Sequence, residues 1–240
     1  MHNPIILNCY TYRDDVYRNY PIQPTKQQIP AWWKNLSPTV PYENGELKTM
    51  RSCLGFNEYF AKGFSVPMWD DVEFIIGETI NHGIECSIHD LQVHPAEQRG
   101  EYLPEVRYQH LKLVPPWYIE CEEDVKFILN ANTWAIDNPE EIIIPPGIID
   151  YKIQNFANIN MFLVYNGIKR TINIKAGTSL INIIQLSDRK IEIHNHLIDF
   201  ETFVEKNNSS QMLAKHIKNN SSYFLSKYAA ENQQCPFHKS

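Results

Sequence analysis

The stretch from Trp117 to Ile193 decides the fold. It opens Trp117-Tyr118-Ile119-Glu120-Cys121 and passes through Ile144-Pro145-Pro146-Gly147-Ile148-Ile149-Asp150. Two apolar runs, 160–165 and 171–174, then flank Asn166-Gly167, and Ala176-Gly177-Thr178 precedes Ser179-Leu180-Ile181-Asn182-Ile183-Ile184-Gln185. Short β-branched and aromatic runs separated by turn residues read as strands. Strands are expected at 111–114, 118–121, 125–130, 141–144, 147–153, 160–165, 171–174, 179–185 and 190–194. A recurrence of about 8–12 residues is the rhythm of a sandwich or barrel. Asn166-Gly167 predicts a hairpin, because both central residues of a type I′ turn need positive φ. Ala176-Gly177-Thr178 predicts a second tight turn.

Further strands are expected upstream at 5–12, 64–68, 72–77 and 84–88. A short helix is expected over 51–63, where Leu54, Phe56, Tyr59 and Phe60 recur at helical spacings and Gly63 stands at the C-terminal left-handed position. Within the N-terminal arm 1–50, residues 13–50 are punctuated by Pro21, Pro24, Pro30, Pro38 and Pro41, which predicts no long regular element there. Residues 89–104 are polar and charged and read as a long surface loop, the place to look first for a ligand or partner. Beyond Phe200, apolar residues at three and four spacings predict a helical tail, with Phe203, Leu213, Ile217, Phe224 and Leu225 on one face. That face would bury against the sheet or against another copy, making a homo-oligomer. The expected fold is mainly β: a single domain 1–199, an antiparallel sandwich or distorted barrel with a Pro-rich N-terminal arm, followed by a helical tail 200–240.

Composition narrows the function classes. At 240 residues with 43% hydrophobic and 21% charged residues, the chain can pack a core. A net charge of -6 argues against general nucleic-acid binding, which needs a basic stripe to neutralise phosphates. The five cysteines show no Cys-x-x-Cys spacing and fit reduced thiols in a cytoplasm. No basic, apolar leader opens the chain, and no run approaches the roughly 20 apolar residues of a membrane helix. A soluble intracellular protein is expected, with no membrane partner.

Trp32 and Trp33 are adjacent within Ile29-Pro30-Ala31-Trp32-Trp33-Lys34. Large aromatics are mostly buried, so both are read first as anchors that pin the arm to the sheet. The competing reading is an exposed aromatic binding surface. Nine histidines raise a metal reading. His89, Asp90 and His94 could supply ligands or bind a partner from their loop, and His194 and His196 share one face of a strand. A metal centre needs three or four converging ligands. No local pattern supplies them, so no metal site is assigned and no cofactor is specified. Phosphate-binding loops, dinucleotide fingerprints, nucleophile elbows and His-Glu-x-x-His are missing from the chain.

One enzyme-like pattern is present. Gly147-Ile148-Ile149-Asp150, followed by residues 176–184, resembles the part of trimeric dUTPases and related dCTP deaminases where an Asp on a hairpin positions a water. That resemblance implies Asp150 as base, with Mg²⁺ bridging phosphate oxygens. His110 is the second catalytic candidate. The Gly-Arg-Ser-Ser type phosphate loop is absent, and Tyr151 follows the Asp directly where the pattern wants it further along.

A broader, ordered set of pieces covers roughly residues 29 to 190. It comprises Ile29-Pro30-Ala31-Trp32-Trp33, Arg51-Ser52-Cys53, and Gly63-Phe64-Ser65-Val66-Pro67-Met68-Trp69-Asp70-Asp71. His110-Leu111-Lys112-Leu113 before Pro116-Trp117 follows, then Pro146-Gly147-Ile148-Ile149-Asp150, then Ile174-Lys175-Ala176-Gly177-Thr178-Ser179-Leu180. Together they resemble an uncharacterised protein family of tailed phages, notably large myoviruses of marine cyanobacteria and other aquatic bacteria. Cys121-Glu122-Glu123-Asp124 departs from the family's Thr-Pro-Lys-Gly-like turn. The resemblance implies a β-rich fold and no assigned catalytic residue. It also implies a phage origin. Taken with the β-rich pattern and the lack of a complete catalytic motif, this leads to the expectation of an accessory or virion-associated protein that acts by binding a phage or host protein, in the cytoplasm of an infected cell or in the virion. A metal- or nucleotide-dependent enzyme centred on Asp150 is the alternative.

Overall fold

The computed structural model describes residues 3–79, 83–88, 90–94, 103, 107–136 and 139–208. The protein is mainly β, built of several sheets around one apolar cluster. Strand β1 (Ile5–Thr11) alternates buried and half-buried residues, the signature of one face on a core. α1 (Asp14–Asn19) follows, and β2 (Gln23–Pro24) leads to a 3-10 turn at Thr25–Gln27. The arm continues with α2 (Ala31–Asn35) and a hairpin of β3 (Thr39–Tyr42) and β4 (Gly45–Lys48). Helix α3 (Leu54–Ala61) then leads into β5 (Phe64–Pro67), buried at every position.

Next come β6 (Val72–Ile76), β7 (Ile84–Cys86), β8 (Leu91–His94), β9 (Tyr108–Leu113) and β10 (Tyr118–Glu120). The remaining strands are β11 (Phe127–Ala131), β12 (Ile142–Ile143), β13 (Gly147–Ile149), β14 (Ile159–Val164), β15 (Arg170–Ile174), β16 (Ser179–Gln185) and β17 (Ile191–Leu197). The sheets run β10-β1-β17, β13-β11-β16-β5-β2, β12-β14-β9-β8 and β15-β6-β7, with β3-β4 apart. Strand β16 is central in its sheet and buried almost throughout, which is why its apolar residues come in the adjacent pairs Leu180-Ile181 and Ile183-Ile184 rather than in alternation.

Several expectations are corrected. Every sheet among the described residues ends in two edge strands, so no barrel closes. The pairing is not wholly antiparallel: β1 runs parallel to β17 from Ile5↔Ile191 to Thr11↔Leu197. Asn166-Gly167 does not close a hairpin, because β14 pairs with β9 and β12 while β15 pairs with β6. The turn carries the chain from one sheet to the next instead. Of the two positive φ angles that a type I′ turn needs, only Gly167 has one, 82°, and Asn166 does not; the Gly167 N–H donates to the Glu78 carbonyl. The Asn166 side chain accepts from the Ile168 N–H and the Arg170 guanidinium, holding the switch in place. Residues 91–94, expected within a loop, form an edge strand on β9. The strand expected over 147–153 stops at Ile149, because the Asp150 carboxylate accepts the Lys152 N–H and turns the chain.

The second tight turn forms as expected. Gly177 has φ 85°, and the Thr178 N–H donates to the Lys175 carbonyl at 3.0 Å. Asp71 fastens this turn: one carboxylate oxygen accepts the Ala176 N–H and the other the Lys175 ammonium, each at 2.9 Å. The Ala176 N–H first, then Lys175, holds the Asp71 carboxyl below its ordinary range. A carboxylate with a depressed folded pKa contributes stability above its unfolded pKa and loses it as pH falls through the folded value. Asp71→Asn is therefore expected to lower the melting temperature at pH 7. The gap to the unsubstituted protein should narrow as pH falls from about 5 through the carboxylate range. Parallel melts at pH 7 and pH 3 check this; a gap independent of pH contradicts it.

After β17, residues 200–208 are helical. Asp199 caps them, accepting from both the Thr202 N–H and its hydroxyl. Phe203 is buried against Tyr12, and Lys206 lies over Tyr10 and pairs with Glu120. The rest of the expected tail, with Leu213, Ile217, Phe224 and Leu225, lies outside the described residues. No described helix is long and apolar enough to cross a membrane.

Candidate binding surface

The arm builds an aromatic cluster. Pro30 precedes α2, and its carbonyl accepts from the Trp33 and Lys34 N–H groups, starting a single short helix. Successive helical residues point about 100° apart, so the two adjacent tryptophans meet different surroundings here. Trp33 is the buried anchor, while Trp32 keeps 43% of its surface exposed. Helix α3 supplies Phe56, Tyr59 and Phe60 from positions three and four apart, and a 3-10 turn at Thr133–Ala135 supplies Trp134. Trp33 packs on Phe60 at 4.9 Å and Phe56 at 5.5 Å between ring centroids. Trp134 contacts Phe56 at 5.6 Å and Trp32 at 6.2 Å. The angles between these rings are tilted or edge-on, as ring quadrupoles prefer. The Arg51 guanidinium sits 5.7 Å over Trp33, a contact worth about 0.5–1 kcal/mol at a partly wet site.

A buried polar knot ties this arm to the sheet. Asn182, fully buried on β16, accepts the Thr25 hydroxyl and donates to the Tyr59 carbonyl. Burial pushes the Tyr59 hydroxyl up, and the Asn182 side chain pulls it partly back. The indole N–H groups of Trp33 and Trp134 are both buried and find no acceptor among the described residues.

Outside the cluster the arm presents apolar side chains to solvent. Besides Trp32, Met50 (44% exposed) and, at the start of α3, Leu54 (83%) are exposed. Leu54 had been grouped by spacing with Phe56, Tyr59 and Phe60, but the helix places it roughly 140–240° around from them. A helical wheel carries that signal; a list of spacings hides it. Trp134, with no periodic neighbours, gives no such signal.

The other sequence candidates are dispersed. His110 and His94 are register partners on β9 and β8, and their rings stack at 4.8 Å. Phe162 of β14 continues the ladder, 4.6 Å from His110. His110 Nε2 lies 3.3 Å from Asn160 Oδ1. Asp90 sits apart from this ladder, accepting the Trp69 indole N–H at 3.1 Å. His89 lies outside the described residues, as does most of the loop 89–104. His194 pairs with Glu192 and His196 with Asn8, both within the β10-β1-β17 sheet. No three His, Cys, Asp or Glu side chains among the described residues gather as a metal would need. A cavity of about 380 Å³ opens beside β13, lined by Leu129, Pro146, Ile148, Ile153, Asn155 and Phe156 among others. Asp150 follows β13 but is outside that lining, its carboxylate spent on the turn.

Compared with known proteins, the chain matches no protein-family model, and a search of curated proteins gives no match.

Proposed function

We propose that this protein is an accessory or virion-associated protein of a tailed phage that acts by binding a phage or host protein through the aromatic arm. The carrying observation is Trp32. It stands half exposed against the rings of Trp33 and Trp134, which are themselves packed on Phe56. A large aromatic held in one orientation loses little entropy when covered, which is why Trp dominates the centres of protein interfaces. Arg51, another residue type enriched there, lies in the same cluster. The ordered likeness of residues 29–190 to the phage family supports the setting.

The test uses the full chain and a Trp32→Ala variant as baits in lysate of infected host cells, with recovered proteins quantified. A specific protein recovered by the unsubstituted chain should fall at least about tenfold with the variant, as expected for loss of a central Trp. Equal recovery by two baits of equal melting temperature overturns the reading.

A further inference from the structure

The hairpin of β3 and β4 stands apart from every other sheet. Its register is Thr39↔Lys48, Val40↔Leu47, Pro41↔Glu46 and Tyr42↔Gly45. Side chains alternate, so Val40, Tyr42 and Leu47 share one face, while Thr39, Pro41, Glu46 and Lys48 share the other. Tyr42 and Leu47 are more than half exposed, so the apolar face is uncovered. An isolated two-stranded ribbon is marginal in water without further packing.

Pro41 settles which edge of the ribbon is open. It has no N–H to exchange, so Pro41↔Glu46 is a non-hydrogen-bonded pair and Val40↔Leu47 a bonded one. By the same alternation Thr39↔Lys48 is non-bonded. At non-bonded positions the backbone groups point outward. On β3 those positions are Thr39 and Pro41, and Pro41 removes a donor from that edge. On β4 they are Glu46 and Lys48, whose N–H and C=O groups both face outward. Among the described residues β4 pairs only with β3.

The sequence of that open edge is complementary to itself. Let two copies of Gly45-Glu46-Leu47-Lys48 run antiparallel about a two-fold axis at Leu47. Glu46 of each copy then stands opposite Lys48 of the other, at positions that exchange both backbone hydrogen bonds. Leu47 meets its own counterpart at the closer, non-bonded spacing on the apolar face. Backbone phase, charge and apolar face all agree on one register. We propose that a second copy of this chain docks along β4, forming a continuous β3-β4-β4-β3 sheet across a two-fold axis. The contact is isologous and closed, and it lies on a different part of the arm from the Trp32 face.

The test is a charge swap on the full chain, read by sedimentation equilibrium over a concentration series. Glu46→Lys places Lys opposite Lys at both symmetric positions, and Lys48→Glu places Glu opposite Glu. Each single variant should dissociate at least about tenfold more readily than the unsubstituted dimer, from two reversed cross-strand pairs. The double variant Glu46→Lys/Lys48→Glu should recover self-association. An equimolar mixture of the two single variants should form a mixed dimer, visible by mass in native spectrometry. Equal melting temperatures exclude misfolding as the cause. A monomer at all concentrations overturns the proposal, and so does a dimer that the single variants leave intact. Single variants that fail to pair with each other overturn it as well.

Discussion

Gly63→Ala is expected to destabilise the protein by about 2–5 kcal/mol, the sum of a left-handed backbone and a displaced neighbour strand. Gly63 ends α3 with φ +80°. A methyl group there would lie 2.3 Å from the Ile183 carbonyl oxygen and 3.1 Å from Ile184 Cα. Both atoms are backbone of the central strand β16, which cannot swing aside as a side chain could. Gly177→Ala is the control. Its φ is +85°, but the nearest atoms are Tyr20 ring carbons at 3.8 Å. It should cost only the left-handed penalty, about 1–2 kcal/mol. Urea denaturation of the two variants separates these contributions; equal losses would show that the approach to Ile183 carries no strain.

The second large effect contrasts neighbouring residues. Trp33→Ala removes a fully buried indole from contact with Phe56 and Phe60 and should cost about 3–5 kcal/mol. Trp32→Ala removes a half-exposed ring and should cost under about 1 kcal/mol. Chemical denaturation measures both. Comparable losses would mean that Trp32 is a structural anchor, and its part in binding would fall with that result.

These two sites show what was legible in the sequence. Gly63 was readable because a helix end and a strand start leave the chain few conformations between them, and glycine fits the one required. The strand-rich composition and the tight turns at Gly167 and Gly177 were readable for the same local reason. Connectivity was not. Asn166-Gly167 specifies a backbone angle, and a hairpin and a sheet-to-sheet switch both use it. Only the partners of Phe162 on β9 and Ile172 on β6 distinguish them, and those lie far away in sequence. The parallel pairing of β1 with β17 was hidden likewise, since neither strand signals its neighbour's direction. At the candidate surface the tryptophan pair drew attention, but its division into anchor and exposed ring required the phase of α2. Trp134 joins the cluster from a distant turn with no local pattern to announce it. Asp150 was expected within a strand, but the strand ends just before it and its carboxylate serves the turn.

The parallel partnership of β1 and β17 has a consequence for how the chain is made. Among the described residues the first strand is neighboured by the last, and Arg189 reaches back to the Asn3 and Pro4 carbonyls, 186 and 185 positions away. Until β17 has emerged, β1 has one edge open, with β10 alone on the other side. Contacts of such long separation form late, because closing the loop must precede any gain from pairing. Strand β1 therefore waits until the segment through β17 has been made, and a product stalled before that point carries an open strand edge of the kind that recruits chaperones or aggregates.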